Sequence, residues 1–112
     1  MPFIEAKLSF QTEKQDELQL KLSDAVAKAF SKPSAYIMSN IEQNCSMWMG
    51  NKKPDKCVYI AISLLGNASK DACASLTKVI CDFLKEDFNV ESNNVYITYH
   101  PTDLWGWNGI MF

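Results

Sequence analysis

Apolar residues in this chain change from a strand-like to a helix-like spacing and back again, twice, in the same order. The first segment, Pro2 to Phe10, places Phe3, Ile4, Ala6, Leu8 and Phe10 in partial alternation and predicts a strand. Leu18, Leu22, Ala25, Val26, Ala29 and Phe30 then recur at helical spacing. Glu13, Lys14, Asp16, Lys21, Asp24 and Lys28 occupy much of the opposite face, so this is an amphipathic helix with one buried stripe. Thr12 and Gln15 are spaced to form a capping box at its start. Pro33 ends it, because the residue before a proline is pushed out of the α region. Ala35 to Ile41 predicts a second strand.

The second half repeats the pattern. Met47 to Met49 reads as a short strand, and Gly50 to Asp55 as a turn rich in Asn, Lys and Pro. Cys57 to Leu65 is an apolar run of strand length, which belongs in the middle of a sheet; Gly66 and Asn67 break it. A helix is predicted over about Ser69 to Asp87, with Ala72, Cys73, Leu76, Val79, Ile80, Phe83 and Leu84 as its apolar stripe. A polar connection, Asn89 to Asn94, leads to a strand over Val95 to His100, closed by Pro101. The tail, Leu104 to Phe112, is apolar and aromatic and carries two glycines. Each half has a Tyr-Ile pair at the start of its last strand: Tyr36-Ile37 and Tyr96-Ile97.

Two β-α-β units in 112 residues predict one α+β domain, residues 1–112, with a four-stranded sheet and both helices on one face. The other sheet face then has no layer over it. Strands this apolar would need that face covered, and sheet edges need pairing, so an obligate oligomer is expected.

Bulk properties narrow the function. The formal net charge is −2 and the pI about 5.3, so there is no broad cationic field to hold nucleic acid. No stretch approaches the length of a membrane-spanning apolar run. The opening MPFIEAKLSF lacks the basic and apolar regions of a secretory signal, which suggests a cytoplasmic protein. Cys45, Cys57, Cys73 and Cys81 include no C-x-x-C pair, and His100 is the one histidine. Reduced, mostly buried thiols are expected, and no metal site.

Three elements carry chemistry. Pro2 follows the initiator methionine, and removal of Met1 would leave a secondary amine at the start of a strand. Burial among apolar groups, or a neighbouring cation, would push such an amine towards neutrality, where a general base works best. Lys32, in Ser31-Lys32-Pro33-Ser34-Ala35-Tyr36-Ile37, sits at a helix C-terminus, where the dipole alone would favour a cation. Trp105-Gly106-Trp107-Asn108-Gly109 near the end could equally be core or interface packing.

Taken together and in order, Met-Pro, Lys-Pro-x-x-Tyr-Ile, the later Tyr-Ile and the final Gly-Trp-Asn…Phe resemble the macrophage migration inhibitory factor (MIF) and D-dopachrome tautomerase family from end to end. The resemblance implies a homotrimer whose sheets wrap a central channel, with active sites between subunits. It implies keto–enol tautomerisation of phenylpyruvate- or D-dopachrome-like compounds without metal or organic cofactor. Carried over by position, the catalytic base is Pro2 and the carboxylate-binding lysine is Lys32. Leu65 and Gly66 supply a pocket wall and a backbone amide, and Tyr96 and Thr98 reach in from a neighbouring subunit. Trp105, Trp107 and Phe112 form wall and rim. The implied partners are further copies of the chain, a small aromatic keto or enol acid and, as for the family's cytokines, a cell-surface receptor, with export lacking a signal peptide.

The chain departs from the vertebrate pattern. Thr98 stands for an asparagine, Ile60 fills the second place of a C-x-x-C motif that begins at Cys57, and Trp105 replaces a smaller aliphatic residue. Gln11-Thr12-Glu13-Lys14 replaces an Arg-containing loop linked to receptor signalling. His100 reads as a surface or rim residue. Beside the enzyme stand two other functions: a cytokine-like signal, or a binding module with vestigial turnover.

Overall fold

A computed structural model describes residues 1–112. Its elements run β1 (Pro2–Leu8), α1 (Gln15–Phe30), a 3-10 turn (Ser34–Tyr36), β2 (Met38–Glu42), β3 (Val58–Leu65) and α2 (Lys70–Phe88). A second 3-10 turn (Ser92–Asn94), β4 (Val95–Thr102), β5 (Gly106–Trp107) and β6 (Ile110–Met111) complete the chain. The main sheet has the order β2-β1-β3-β4. β1 is parallel to β2 and antiparallel to β3, and β3 is parallel to β4.

The apolar run of β3 does lie centrally, and its register places Ile60 against Ala6 and Ile97. One side of the sheet packs on both helices. Ile4, Leu8, Ile60 and Ile62 from the strands meet Leu18, Leu22 and Val26 of α1 and Leu76, Ile80 and Leu84 of α2 in one buried cluster. The helix stripes predicted from spacing supply these contacts, although Val79 is half exposed.

The open face differs from expectation. It carries Glu5 and Lys7 from β1, Asn40 and Glu42 from β2, and Tyr59, Ser63, Thr98 and His100 from β3 and β4. Strict alternation in β1 explains this: apolar residues point to the helices and charged ones point away. Thr98 Oγ1 lies 2.7 Å from the Tyr59 hydroxyl and 2.8 Å from His100 Nε2, forming a polar chain across this surface. Hydrophobic cover is therefore not what this face requires.

The boundaries also shift for identifiable reasons. β1 stops at Leu8, where the Ser9 hydroxyl accepts from the Cys57 amide and the ladder ends. The Thr12–Gln15 capping box is not made. Lys14 is the N-cap, the Thr12 hydroxyl accepts from the Lys14 amide, and Gln43 takes both the Thr12 amide and the Gln15 side chain. A long-range contact from the end of β2 thus displaces the local motif.

At the other end of α1, Ser31 adopts the left-handed conformation, and the Lys32 amide donates to Ala27 O. The chain after Pro33 makes a 3-10 turn, so β2 begins at Met38 and not at Ala35. Met47 to Met49 is not a strand; Met49 and Lys52 exchange two backbone hydrogen bonds that close a turn. Pro101 lies inside β4, tolerated because β4 is an edge strand. Only Cys57 of the four free thiols is buried. No helix is long and apolar enough to cross a membrane.

The tail folds into a hairpin of its own, β5 against β6. Asn108 and Gly109 both have positive φ, as a two-residue type I′ turn requires. The Phe112 amide donates to Trp105 O at 3.0 Å and fastens the base of the hairpin.

Candidate active site

The chain's N-terminus, the segment after α1 and the tail hairpin meet at one end of the sheet. There they enclose a cavity of about 390 Å³. Pro2 lines it from β1 together with Met1 and Phe3. Ala35, Tyr36, Ile37 and Met38 line it from the 3-10 turn and the start of β2, and Trp105 and Trp107 from the tail. Pro2 itself is buried. Aromatic packing shapes one wall: the Tyr36 and Trp107 rings meet edge-to-face at 5.8 Å, and Trp107 stacks on Phe112 at 6.2 Å.

Polar groups gather beside the N-terminus. The Lys32 Nζ donates to the carbonyl of Leu65 at 3.4 Å, and the Leu65 amide donates to the carbonyl of Met1 at 3.4 Å. Gly66, at φ +97, ends β3 in a conformation that L side chains rarely adopt; its amide donates to Thr102 O at 2.9 Å. The terminal amine is held below its usual pKa, first by burial and second by the positive charge of Lys32. Both effects penalise the protonated form.

Tyr96 and Thr98 lie elsewhere in the same chain. Pro2 is opposite Leu64, whereas Tyr96 is opposite Tyr59. Tyr59 precedes Leu64 by five residues along β3, which puts Tyr96 about 16 Å from Pro2 along the sheet at the usual strand rise. Tyr96 is 63% exposed and lines a second, apolar cavity of about 230 Å³ with Met47, Trp48, Met49 and Cys57. Thr98 is engaged on the open face by Tyr59 and His100. One chain therefore gathers Pro2, Lys32, Leu65, Trp105, Trp107 and, behind Trp107, Phe112, but not Tyr96 or Thr98. No group of three or more His, Cys, Asp or Glu side chains is placed to hold a metal ion.

Sequence reasoning did not single out Phe3, Tyr36 or Met38 as lining residues. Tyr36 was visible in the Tyr-Ile repeat, but only the 3-10 turn after Pro33 turns it towards the tail. Phe3 and Met38 become neighbours through the β1–β2 register, which no local pattern encodes.

The whole sequence, residues 1–112, matches the family described as macrophage migration inhibitory factor (MIF). The chain belongs to the macrophage migration inhibitory factor family. A MIF from Xenopus tropicalis is 34% identical over 100 residues, covering 87% of this chain and 85% of that protein. A Xenopus laevis MIF is 33% identical over 99 residues, with the same coverage. Among solved structures, Leishmania major MIF2 superposes with a TM-score of 0.88 at 18% identity, covering 100% of this chain and 97% of the other. The MIF homologue of Prochlorococcus marinus gives 0.87 at 21% identity, covering 98% of each. At such identities the structures establish the shared MIF fold: a four-stranded mixed sheet with two helices.

Proposed function

We propose that this MIF-family chain is a keto–enol tautomerase of aryl 2-keto acids, with the secondary amine of Pro2 as its base. Removal of Met1 creates that amine. The observation that supports it is the terminal amine's setting: a mostly apolar cavity beside Lys32, with protonation disfavoured by burial and by like charge. Processing would move the terminus one residue inward, onto buried Pro2. It would also release the Leu65 amide, which now donates to Met1 O.

The chemistry follows from the donors at hand. The substrate's carboxylate pairs with the Lys32 ammonium, a charge-assisted contact, and the freed Leu65 amide donates to a second substrate oxygen. The aryl group lies between Trp105, Trp107 and Tyr36. The neutral Pro2 nitrogen takes a proton from the carbon between ring and carbonyl. The electron pair moves to the carbonyl oxygen, and the proton is returned there, giving the enol with no net change in protons.

A homotrimer is the assembly this function calls for. Tyr96 can reach a Pro2 cavity only from another subunit, and its exposed apolar surroundings with Trp48 favour burial against a neighbouring copy.

The test compares the enol–keto interconversion of phenylpyruvate by the wild type and by Pro2→Gly. A loss of about 10²–10⁴-fold in kcat/KM is expected for removal of a general base, with circular dichroism unchanged. A near-normal rate in the variant would reject Pro2 as the base.

A further inference from the structure

We propose that Met38 is a specificity-determining residue of this site, an adjustable wall that lets it take bicyclic as well as monocyclic aryl 2-keto acids. The inference rests on the tautomerase assignment above and extends it to the width of the substrate.

Met38 opens β2 and is the register partner of Phe3, the residue after Pro2. Parallel partners project from the same face of a sheet about 4.8 Å apart. The thioether therefore lies beside the Phe3 ring at the mouth of the cavity, which both residues line. Met38 is 69% exposed, and it is absent from the buried cluster and from the side chains packed on it. Its conformation is not fixed by the core.

The remaining walls are comparatively stiff. Tyr36 is braced edge-to-face on Trp107, Trp107 is stacked on Phe112, and the hairpin that carries Trp107 is closed by its own turn. Ile37 packs against the core. Met38 alone combines an unbranched, polarisable side chain with three soft torsions and a place in the lining. When a wider ring system enters, this is the side chain that can swing aside at small cost. The cavity of about 390 Å³ is measured with Met1 still in place, so a processed chain has more room at the same end.

The experiment measures kcat/KM for phenylpyruvate and for indole-3-pyruvate, the bicyclic probe, in wild type, Met38→Ile and Met38→Ala. Isoleucine keeps the bulk but is held to a preferred χ1, and it suits a strand. The wild type is expected to handle the two acids within about tenfold of each other. A misplaced methylene in an apolar pocket discriminates by about 10–200-fold. Met38→Ile should therefore lower the indole-to-phenyl ratio at least tenfold, and Met38→Ala should hold or raise it.

An unchanged ratio in Met38→Ile would overturn the inference while leaving the tautomerase intact. If the wild type turns over neither acid, the tautomerase assignment falls instead. Calorimetric Kd values for the same two acids then decide the role of Met38 by the same tenfold criterion; failure of the wild type to bind either acid would overturn it.

Discussion

The ammonium of Lys32 reaches the carbonyl oxygen of Leu65 across 3.4 Å, joining the end of the first β-α unit to the last residue of β3 beside the N-terminus. A lysine with three donors keeps two for another acceptor. Its charge also bears on the terminal amine, so the same side chain can hold an anion and keep a nearby base unprotonated.

Lys32→Ala is expected to move the acidic limb of the pH–rate profile to higher pH. The amine is held low partly by like charge; removing that charge makes protonation easier, raises the pKa and demands a higher pH for the neutral base. Binding of the carboxylate should weaken at the same time, by about 10-fold or more for loss of a charged hydrogen bond. A pH profile of kcat/KM checks the first effect. An uncharged ester of the substrate, for which binding should be little changed, checks the second.

Retention of Met1 should abolish turnover, because its carbonyl holds the Leu65 amide and its residue stands over Pro2. Intact-mass measurement of active protein should give the chain beginning at Pro2. Protein forced to keep Met1 by an N-terminal extension should show no rate above background.

Trp107→Ala removes both the edge-to-face contact with Tyr36 and the stack on Phe112. At about 0.5–1.5 kcal/mol for each aromatic pair, binding of aryl acids should weaken by about 10-fold. Inhibition by a non-reactive arylcarboxylate measures this without relying on turnover.

Ile60→Ala leaves a gap between β1, β4 and the helices, where Ile60 is fully buried. Denaturant unfolding should show a loss of about 2–5 kcal/mol. Ile60 also occupies the second place of a C-x-x-C motif. Residues three apart in an extended strand are too distant to be bridged, so Ile60→Cys should form no disulfide with Cys57 while β3 is intact.

The fold was legible where one residue type decides one contact. The Cys57–Leu65 run could only be an inner strand, and the stripes of Leu18–Leu22–Val26 and Leu76–Ile80–Leu84 could only face a sheet. The sequence misled where distant groups compete with local ones: Gln43 captures Thr12 and Gln15, and no capping box forms. The polarity of the open face was written in the alternation of Glu5 and Lys7 with Ile4, Ala6 and Leu8, yet the overall apolarity of the strands obscured it. Asn108-Gly109 is likewise a hairpin signal in plain letters.

For the site, Pro2, Trp105 and Trp107 could be named from motifs, and the fold sets them around one cavity. Phe3 and Met38 could not, because strand register is a long-range property. Nor could a single sequence show that Tyr96 sits far down the sheet from Pro2; that distance follows from how β3 pairs with its two neighbours.

Because the cavity is built from both extremities of the polypeptide, neither end is a safe place for an affinity handle. A leader peptide would bury the amine within an ordinary amide bond, and a trailer would hang from Phe112 behind Trp107. The exposed tip Gly50–Lys53, between β2 and β3, lies outside the cavity lining and suits a label better. A conventionally tagged preparation would be a disabled protein, inert through its handle and not through its own chemistry.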